Sequence, residues 1–362
     1  MILSEYFNSK ALAIFSTEIA SNKIPFLGEA YFPDDKMMGL DLPWIKTHKG
    51  LNVALAPSNF DALPTIRGRG EINTMKEEMP FFRESMIVKE HDLMELSRIS
   101  NSNDPYLQPI LNAFYDDGNT LVDAARISAE MMRMSLLAPL NGDMRIIIAL
   151  RDNTKYAYNY DPDGTWKANN YMELTSSDTW DNPSTAKPLN DIRKATQYLA
   201  SNGIIATTII STSETFDYLL ENDQLKTALI SVTGQPINFV DDSSIEEVIR
   251  RKTRLNWIFY DKLYKDYDGT QKNFYPDGYV TILGNGQLGK FWRGITPEEI
   301  TSTGKLIADA PTPPADITVL SDGIAIAVQT TYEPAVKITT TVSQLGMPSF
   351  EGMDSIFVIK VV

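Results

Sequence analysis

The spacing of apolar and polar positions predicts one long helix in the first half of the chain. Asp104-Pro105 offers a capping carboxylate followed by a proline at the first helical position, and Pro139 with Gly142 ends the pattern. We therefore predict a helix over residues 104–138, with Gly118 as its weak point. Apolar residues recur every three or four positions on one face of this helix: Leu121, Ala125, Ala129, Met132 and Leu136.

A different rhythm begins near Lys187, where amphipathic stretches alternate with β-branched or aromatic ones. Residues 188 to about 320 are therefore predicted to form an α/β or α+β unit between two β-rich stretches. The predicted strands are residues 204–210, 256–260 and 279–283. The predicted helices are residues 190–200, closed by Gly203; one that opens at the capping box Ser211-Thr212-Ser213-Glu214 and ends near Asn222; and one that opens at Ser243-Ser244.

The first 50 residues of the chain are predicted to be mostly extended. Residues 9–19 are amphipathic and predict a helix, but the rest of 1–50 has few alternating apolar positions, so we expect an arm without a core of its own.

Residues 51–96 are strand-like with a polar middle and predict a long β-hairpin. Other β-structure is predicted at residues 144–150, 153–182, 324–328, 335–342 and 356–362, of which the last ties the C-terminus into a sheet.

Composition restricts the class of protein. The 362 residues are 43% apolar and include no cysteine, which removes disulfides, thiolate nucleophiles and sulfur-ligated metal sites. The 47 acidic and 33 basic residues give a net charge of −14, which opposes tight binding of nucleic acid but permits enclosing it. The opening residues lack a secretory signal, and no run approaches the roughly 20 apolar residues that cross a bilayer. We expect a protein made and kept in a cytoplasm.

One motif suggests enzyme chemistry. Gly284-Asn285-Gly286-Gln287-Leu288-Gly289 matches the dinucleotide-binding fingerprint directly after a predicted strand, and Asp309 follows about 20 residues later. The fingerprint requires a helix whose N-terminus faces the pyrophosphate, but residues 290–297 break helical periodicity. We therefore expect a glycine-rich turn and no cofactor. The alternative function is a soluble α/β nucleotide-binding enzyme that uses the Gly284 to Gly289 turn.

Other catalytic or metal-binding groups are sparse in the sequence. Asp266-Tyr267-Asp268-Gly269 is similar to the start of a calcium loop, but Tyr264 and Tyr275 stand where its first and twelfth positions need carboxylates, so a hairpin turn is predicted. The two histidines, His48 and His91, are far apart in the chain, which argues against a histidine metal cluster or a nucleophile–histidine pair. We predict no catalytic residue and no metal site.

A charged cluster lies in the middle of the predicted hairpin. Arg67 and Arg69 are followed closely by Glu71, Glu77 and Glu78. Such clusters usually form a solvated loop. The alternative is that these residues form ion pairs between subunits, which would make them an intersubunit contact.

Several segments resemble the lambda-type major capsid proteins of tailed phages, the capsid protein E family, which has the Hong Kong 97-like fold. The resemblance extends from about residue 50 to the end and rests on the order and spacing of these segments. They are Thr65-Ile66-Arg67-Gly68-Arg69-Gly70, similar to an arginine–glycine turn in that family's extended loop; Asp104-Pro105-Tyr106, at the start of its spine helix; Asn273-Phe274-Tyr275-Pro276-Asp277-Gly278 followed by Val280-Thr281-Ile282-Leu283-Gly284-Asn285; and Met347-Pro348-Ser349-Phe350-Glu351 before a terminal strand.

This resemblance implies an α+β capsid fold with named regions. They are an N-terminal arm over 1–50, an extended β-hairpin loop over 51–96, a peripheral domain over 97–187 with the spine helix 104–138, an axial α/β domain over 188–320, and return strands of the peripheral domain over 321–362.

The resemblance also implies a structural protein that is not an enzyme. Copies would assemble into hexamers and pentamers of an icosahedral virion capsid, inside the cytoplasm of a host bacterium. The shell would enclose double-stranded DNA without sequence-specific binding. The implied partners are further copies of the chain, a scaffolding protein, a portal and a decoration protein; no cofactor and no membrane is implied.

Overall fold

The computed structural model describes residues 8–20, 25–46, 73–91, 94, 107–149, 155–233, 241–266, 269–302, 316–332 and 336–362. Its helices are α1 (Ser9–Ala20), α2 (Gly28–Tyr31), α3 (Leu107–Leu137), α4 (Thr165–Asn170), α5 (Pro188–Ser201), α6 (Ser213–Glu221), α7 (Asp223–Thr233), α8 (Asp242–Thr253) and α9 (Pro297–Ser302). Its strands are β1 (Asp34–Lys36), β2 (Asp41–Lys46), β3 (Asn73–Glu78), β4 (Phe81–Val88), β5 (Arg145–Ala149), β6 (Lys155–Asn159), β7 (Tyr171–Glu173), β8 (Ala206–Ser211), β9 (Asn256–Phe259), β10 (Leu263–Lys265), β11 (Gln271–Asn273), β12 (Tyr279–Gly284), β13 (Phe291–Arg293), β14 (Asp316–Val319), β15 (Ala325–Thr331), β16 (Lys337–Pro348) and β17 (Ile356–Lys360).

The chain divides into two compact units, each built from separate segments of the sequence. The first unit comprises Met1–Leu42, Lys76–Glu130 and Lys290–Ser349. The second unit comprises Pro43–Met75, Met131–Gly289 and Phe350–Val362. The division into arm, loop, peripheral and axial regions stays a prediction.

A six-stranded sheet forms the framework of the first unit. Its order is β1-β13-β16-β15-β14, and β4 pairs with β16 outside this path. The first part of β16 pairs with both β15 and β4, and its last three residues pair with β13. Because alternate residues of a strand point to one face, Ile338 and Val342 of β16 enter the core together with Ile326 and Val328 of β15.

Helix α1 packs against the sheet of the first unit. Leu12 is buried in a core that also contains Leu121 of α3, and a Cβ at Gly118 would lie 2.4 Å from Leu12 Cδ2. The Ser9 backbone N–H donates to Asp316 Oδ2 over 2.7 Å. We expected residues 1–50 to have no core of their own. Helix α1 lies in a core that later segments of the same chain supply, so this part of the predicted arm packs on its own subunit.

The predicted hairpin over 51–96 falls largely outside the described residues, which include β3 and β4 from its second half. β3 pairs with β2, which begins ten residues before the predicted start at 51. All eight residues of β4 pair with β16, from Phe81 opposite Leu345 to Val88 opposite Ile338. β4 is therefore part of the six-stranded sheet, a pairing that the sequence did not predict, and the hairpin over 51–96 stays a prediction.

A five-stranded sheet with the order β7-β17-β12-β8-β9 forms the framework of the second unit. The central strand β12 is buried throughout. Helices α5 to α8 pack around it, and α7 is a helix that the sequence patterns did not predict. Apolar side chains from these helices and strands share one core: Ile192, Leu199, Ile209, Phe216, Ile245, Val248 and Ile282.

Local signals placed most elements of the second unit, with small corrections at their ends. Gly203 has φ +80° two residues after the end of α5, as predicted for a helix-ending glycine. The cap of α6 is Thr212, whose hydroxyl accepts the Thr215 N–H, and not the expected Ser211. The cap of α8 is Asp241, which lies before the expected start at Ser243.

Two further predictions concern single elements. Helix α3 confirms the long helix and continues through Gly118, while residues 104–106 lie outside the described part. The predicted turn after Tyr264 is confirmed, because β10 and β11 form an antiparallel hairpin in which the Asp266 N–H donates to the Thr270 carbonyl. Helix α4 was missed within 153–182. Both carboxylate oxygens of Asp161 accept hydrogen bonds at the start of this helix, Oδ1 from the Trp166 N–H and Oδ2 from the Lys167 N–H.

Candidate assembly surfaces

The five residues predicted for an intersubunit contact are only partly within the described structure. Arg67, Arg69 and Glu71 lie outside the described residues. Glu77 and Glu78 end strand β3, where Glu77 is half-buried and Glu78 is exposed. Neither carboxylate forms an ion pair with another described residue. The intersubunit role of the cluster therefore stays a prediction.

The glycine motif has no helix after it. Gly284 ends strand β12, and the next regular element is strand β13, which begins at Phe291. A Cβ at Gly284 would lie 3.0 Å from the Ile205 carbonyl oxygen, and Gly286 has φ +110°. Close packing and a left-handed backbone thus account for these two glycines. The expected glycine-rich turn is confirmed, and the helix N-terminus that a pyrophosphate requires is not formed by residues 284–293.

Strand β1 is held by three ion pairs that the sequence did not predict. Asp34, Asp35 and Lys36 pair with Arg293, Lys290 and Glu299, respectively. β1 also runs parallel to β13, with Asp34 opposite Phe291. We call this set the β1 clamp. It fixes a segment of the predicted arm onto the first unit at every residue of the strand.

Arg293 is the buried centre of the β1 clamp, with a side chain that is only 3% exposed. Its Nε donates to Asp34 Oδ1 over 2.8 Å, and its Nη1 donates to Gln344 Oε1 over 2.5 Å. Gln344 Nε2 in turn donates to the Ala125 carbonyl over 2.8 Å. The guanidinium also lies 4.4 Å from the centre of the Phe291 ring. One arginine therefore links β1, β16 and α3.

Hydrogen bonds in the exposed part of the β1 clamp favour the charged form of Asp35. The side-chain hydrogen bond from Lys290 is the largest of the effects that lower the pKa of Asp35, and the N–H of Lys36 acts in the same direction. The carboxylate of Asp35 is therefore stabilised in its ionised form while β1 is in place.

Three large apolar side chains of the first unit, Met38, Leu40 and Phe81, are exposed. Met38 is 81% exposed, and the other two side chains are also exposed. The Leu40 carbonyl accepts the Met79 N–H, which places the loop before β2 beside the connection between β3 and β4. The Arg83 guanidinium lies over the Phe81 ring and pairs with Glu298. Singly exposed apolar side chains are common on soluble proteins, so these three do not by themselves define a contact surface.

The sequence matches one family model, described as phage major capsid protein E, over residues 15–331. This chain belongs to that family. The match includes the β1 clamp residues of β1 and β13 and most of both compact units. It confirms the family that the sequence segments resemble.

Solved structures confirm the fold class. The phage capsid E chain is similar to a protein described as the capsid protein of a prophage of Escherichia coli CFT073, with a TM-score of 0.59, 13% identity and coverage of 98% of this chain and 99% of that one. It is also similar to a phage-related protein of Bordetella bronchiseptica RB50, with a TM-score of 0.54, 11% identity and coverage of 96% and 95%. The fold is the Hong Kong 97-like capsid fold. No curated protein sequence matches the chain.

The described ranges of the capsid protein contain neither a membrane-spanning helix nor a metal-binding cluster. No helix there combines the length and apolar character needed to span a bilayer. No group of three or more histidine or acidic side chains in those ranges is placed to share a metal ion.

Proposed function

We propose that this chain is the building block of an icosahedral phage head, and that its copies assemble into hexamers and pentamers around double-stranded DNA. The observation that carries the proposal is the family match over residues 15–331. A structural protein of this family belongs in the virion capsid and acts through contacts between its copies, without catalysis. Assembly would take place in the cytoplasm of a host bacterium.

The charge of the chain supports a wall that encloses DNA without gripping it. The net charge is −14, and a surface of the same sign as DNA gains no affinity from releasing counterions. The same charge keeps unassembled subunits soluble. A scaffolding protein and a portal are the partners that we propose for assembly, and a decoration protein is a further partner for the outer face.

The regional assignment is also part of the proposal. Residues 1–50 would be the arm, 51–96 the extended loop, 97–187 with 321–362 the peripheral domain, and 188–320 the axial domain. The β1 clamp bears on this assignment, because it holds one segment of the arm on its own subunit and leaves other parts of 1–50 for contact with neighbours.

Assembly itself tests the proposal. Purified protein should sediment far faster than a single 40.6 kDa chain and should form capsomers, shells or tubes in electron micrographs. A scaffolding protein can be supplied if the chain alone stops at capsomers. A chain that stays monomeric under all these conditions would exclude the building-block function.

The charged cluster provides a sharper test of the extended loop. We propose that Arg67 and Arg69 form ion pairs between subunits with Glu71, Glu77 and Glu78. Arg67→Ala together with Arg69→Ala should then lower the yield of shells at least tenfold and leave the melting temperature of the subunit unchanged. The control is Arg193→Ala, which removes an exposed arginine from α5. Wild-type yield in the double variant would remove the cluster from the assembly contacts.

The runner-up function, a nucleotide-binding enzyme, makes the opposite prediction. It requires a stable monomer or dimer whose melting temperature rises when NAD is added in excess, because a bound ligand stabilises the folded state. The strand β13 after the glycine turn argues against it. We expect no such rise.

A further inference from the structure

The hairpin formed by β5 and β6 carries apolar side chains that the chain itself leaves exposed. The two strands pair over five positions, from Arg145 opposite Asn159 to Ala149 opposite Lys155. They form a two-stranded sheet that no other described strand joins. Isolated two-stranded sheets of this kind are only marginally stable in water. The hairpin therefore gains if something packs against it.

Burial changes along the hairpin from its base to its tip. Ile146 and Tyr158 face each other at the base and are buried. Toward the tip, Tyr156 is 52% exposed, although its ring stacks at 6.5 Å on that of Tyr158. Ile147, on the opposite face, is 49% exposed. Each face of the hairpin thus presents one large apolar side chain to solvent, and a partner that packs there would remove it from water.

The charge of the hairpin is opposite to that of the chain. Residues 145–159 contain three basic side chains, Arg145, Arg151 and Lys155, and one acidic side chain, Asp152. The chain as a whole has a net charge of −14. Arg145 is paired with Asp143, whereas the exposed Lys155 makes no ion pair with any described residue. An acidic surface would complement this segment, and further copies of the chain carry an excess of carboxylates over basic groups.

We propose that the β5–β6 hairpin docks on an acidic face of a neighbouring copy of this chain. Ile147 and Tyr156 are buried in that contact, and Lys155 pairs with a carboxylate of the neighbour. This inference rests on the proposed building-block function and names one of the surfaces through which the copies meet.

Truncation of the apolar side chains tests the contact. Ile147→Ser combined with Tyr156→Ser should reduce the yield of sedimentable assemblies at least tenfold, while the melting temperature of the subunit stays within a few degrees of wild type. The matched control is Ile230→Ser on α7, because Ile230 belongs to the same unit and is 45% exposed. The control should assemble as the wild type does.

Charge reversal tests the choice of partner and does not require removal of any buried group. Lys155→Glu should lower assembly yield at low salt, because like charges then meet across the contact. The loss should shrink in about 0.5 M salt, where screening shortens the range of the repulsion. Equal yields of wild type and Lys155→Glu at low salt would contradict an acidic partner surface.

The absence of cysteine permits a direct measurement of the contact. A Tyr156→Cys variant has a single thiol, which can carry a photoreactive benzophenone. Illumination of assemblies should yield covalent dimers of the chain, and mass spectrometry should find the linked peptide in an acid-rich segment. Ile230→Cys is the control and should give no dimers.

The outcomes separate this inference from the proposed function. If wild-type protein assembles, the serine variants assemble equally well and the labelled Tyr156→Cys gives no dimers, the hairpin contact is wrong and the building-block function stands. Cross-links to a different co-purified protein instead of to the chain would also overturn the inference. A wild-type chain that never assembles overturns both.

Discussion

In the second unit, helices and strands that are mostly near one another in sequence bury large apolar side chains together. Phe216 of α6, for example, packs edge-on against Trp257 and Phe259 of β9. In the first unit, remote segments meet through polar contacts as well. Asp34 pairs with a buried arginine 259 residues away, and Ser9 hydrogen-bonds to Asp316. The comparison indicates that loss of apolar volume should weaken the second unit most, whereas loss of a single charge should weaken the first.

Truncation of Phe216 should have the largest effect. Its ring centre lies 5.1 Å from that of Trp257 and 5.0 Å from that of Phe259, so Phe216→Ala leaves a cavity in a packed aromatic cluster. We expect the free energy of unfolding of the second unit to fall by about 3–5 kcal/mol. Hydrogen exchange measured by mass spectrometry should show the loss in α6, α8 and β9. The amides of β15 and β16 should keep wild-type protection.

The control for that experiment is Tyr332→Ala, which truncates an exposed aromatic side chain after β15. It should change the free energy of unfolding by less than about 0.5 kcal/mol. Equal loss of protection in both units of Phe216→Ala would show that they unfold as one, and the comparison between them would then fail.

Removal of the charge at Arg293 should have the next largest effect, and in the first unit. Arg293→Met keeps much of the apolar stem but leaves Asp34 and Gln344 without their buried partner. Because the Asp34 side chain is 22% exposed, we place the cost at about 2–3 kcal/mol, below that of breaking a fully buried pair. Exchange of the amides of β1 and β13 should accelerate, and those of α5 and α8 should not change.

A second substitution separates charge from packing at this site. Arg293→Met combined with Asp34→Asn removes the unpaired carboxylate and should recover part of the stability lost in Arg293→Met alone. Arg145→Met, which breaks an exposed ion pair with Asp143, should cost less than about 1 kcal/mol. Similar costs for the variants at 293 and 145 would show that burial of Arg293 contributes nothing.

Thr212 provides a smaller effect that is confined to the second unit. Thr212→Ala removes the hydroxyl that accepts the Thr215 N–H at the start of α6, and should cost about 1 kcal/mol. Thr212→Ser retains the oxygen and should keep most of that stability. Chemical denaturation of both variants, followed by circular dichroism, measures the difference. Equal losses in the two variants would assign the effect to the methyl group and not to the cap.

The elements of the second unit were predictable because their signals are local. Periodicity, a capping residue and a closing glycine all lie within a few residues of the helix that they define. Helix α7 was missed because Asn222 performs two roles. It follows the last residue of α6, and its Oδ1 accepts the N–H groups of Gln224 and Leu225 at the start of α7. A single asparagine was interpreted only as the end of a helix.

The first unit was less predictable because its defining contacts join remote segments. Strand β1 consists of Asp34, Asp35 and Lys36, which in sequence indicate a turn. The partners in its three ion pairs lie 255 to 263 residues further along the chain, and no local sequence pattern specifies them. The burial of Leu12 likewise depends on a glycine of another helix. Of the predicted contact cluster, the described residues place only Glu77 and Glu78.

The smallest effect should come from the exposed edge of the β1 clamp, as a dependence on pH. The hydrogen bond from Lys290 lowers the pKa of Asp35 in the folded chain, so the unfolded chain binds a proton first as the pH falls. The stabilisation from Asp35 is therefore complete above the ordinary aspartate pKa of about 3.9 and is lost as the pH drops through the lowered value. Asp35→Asn should be less stable than wild type at neutral pH, and the gap should narrow toward about pH 2. The stability gap between Lys290→Met and wild type should narrow in the same way. The variant that combines both substitutions should be no less stable than either single variant. Denaturant unfolding at several pH values measures this; a gap that stays constant down to about pH 2 would show that the Asp35–Lys290 pair does not stabilise β1.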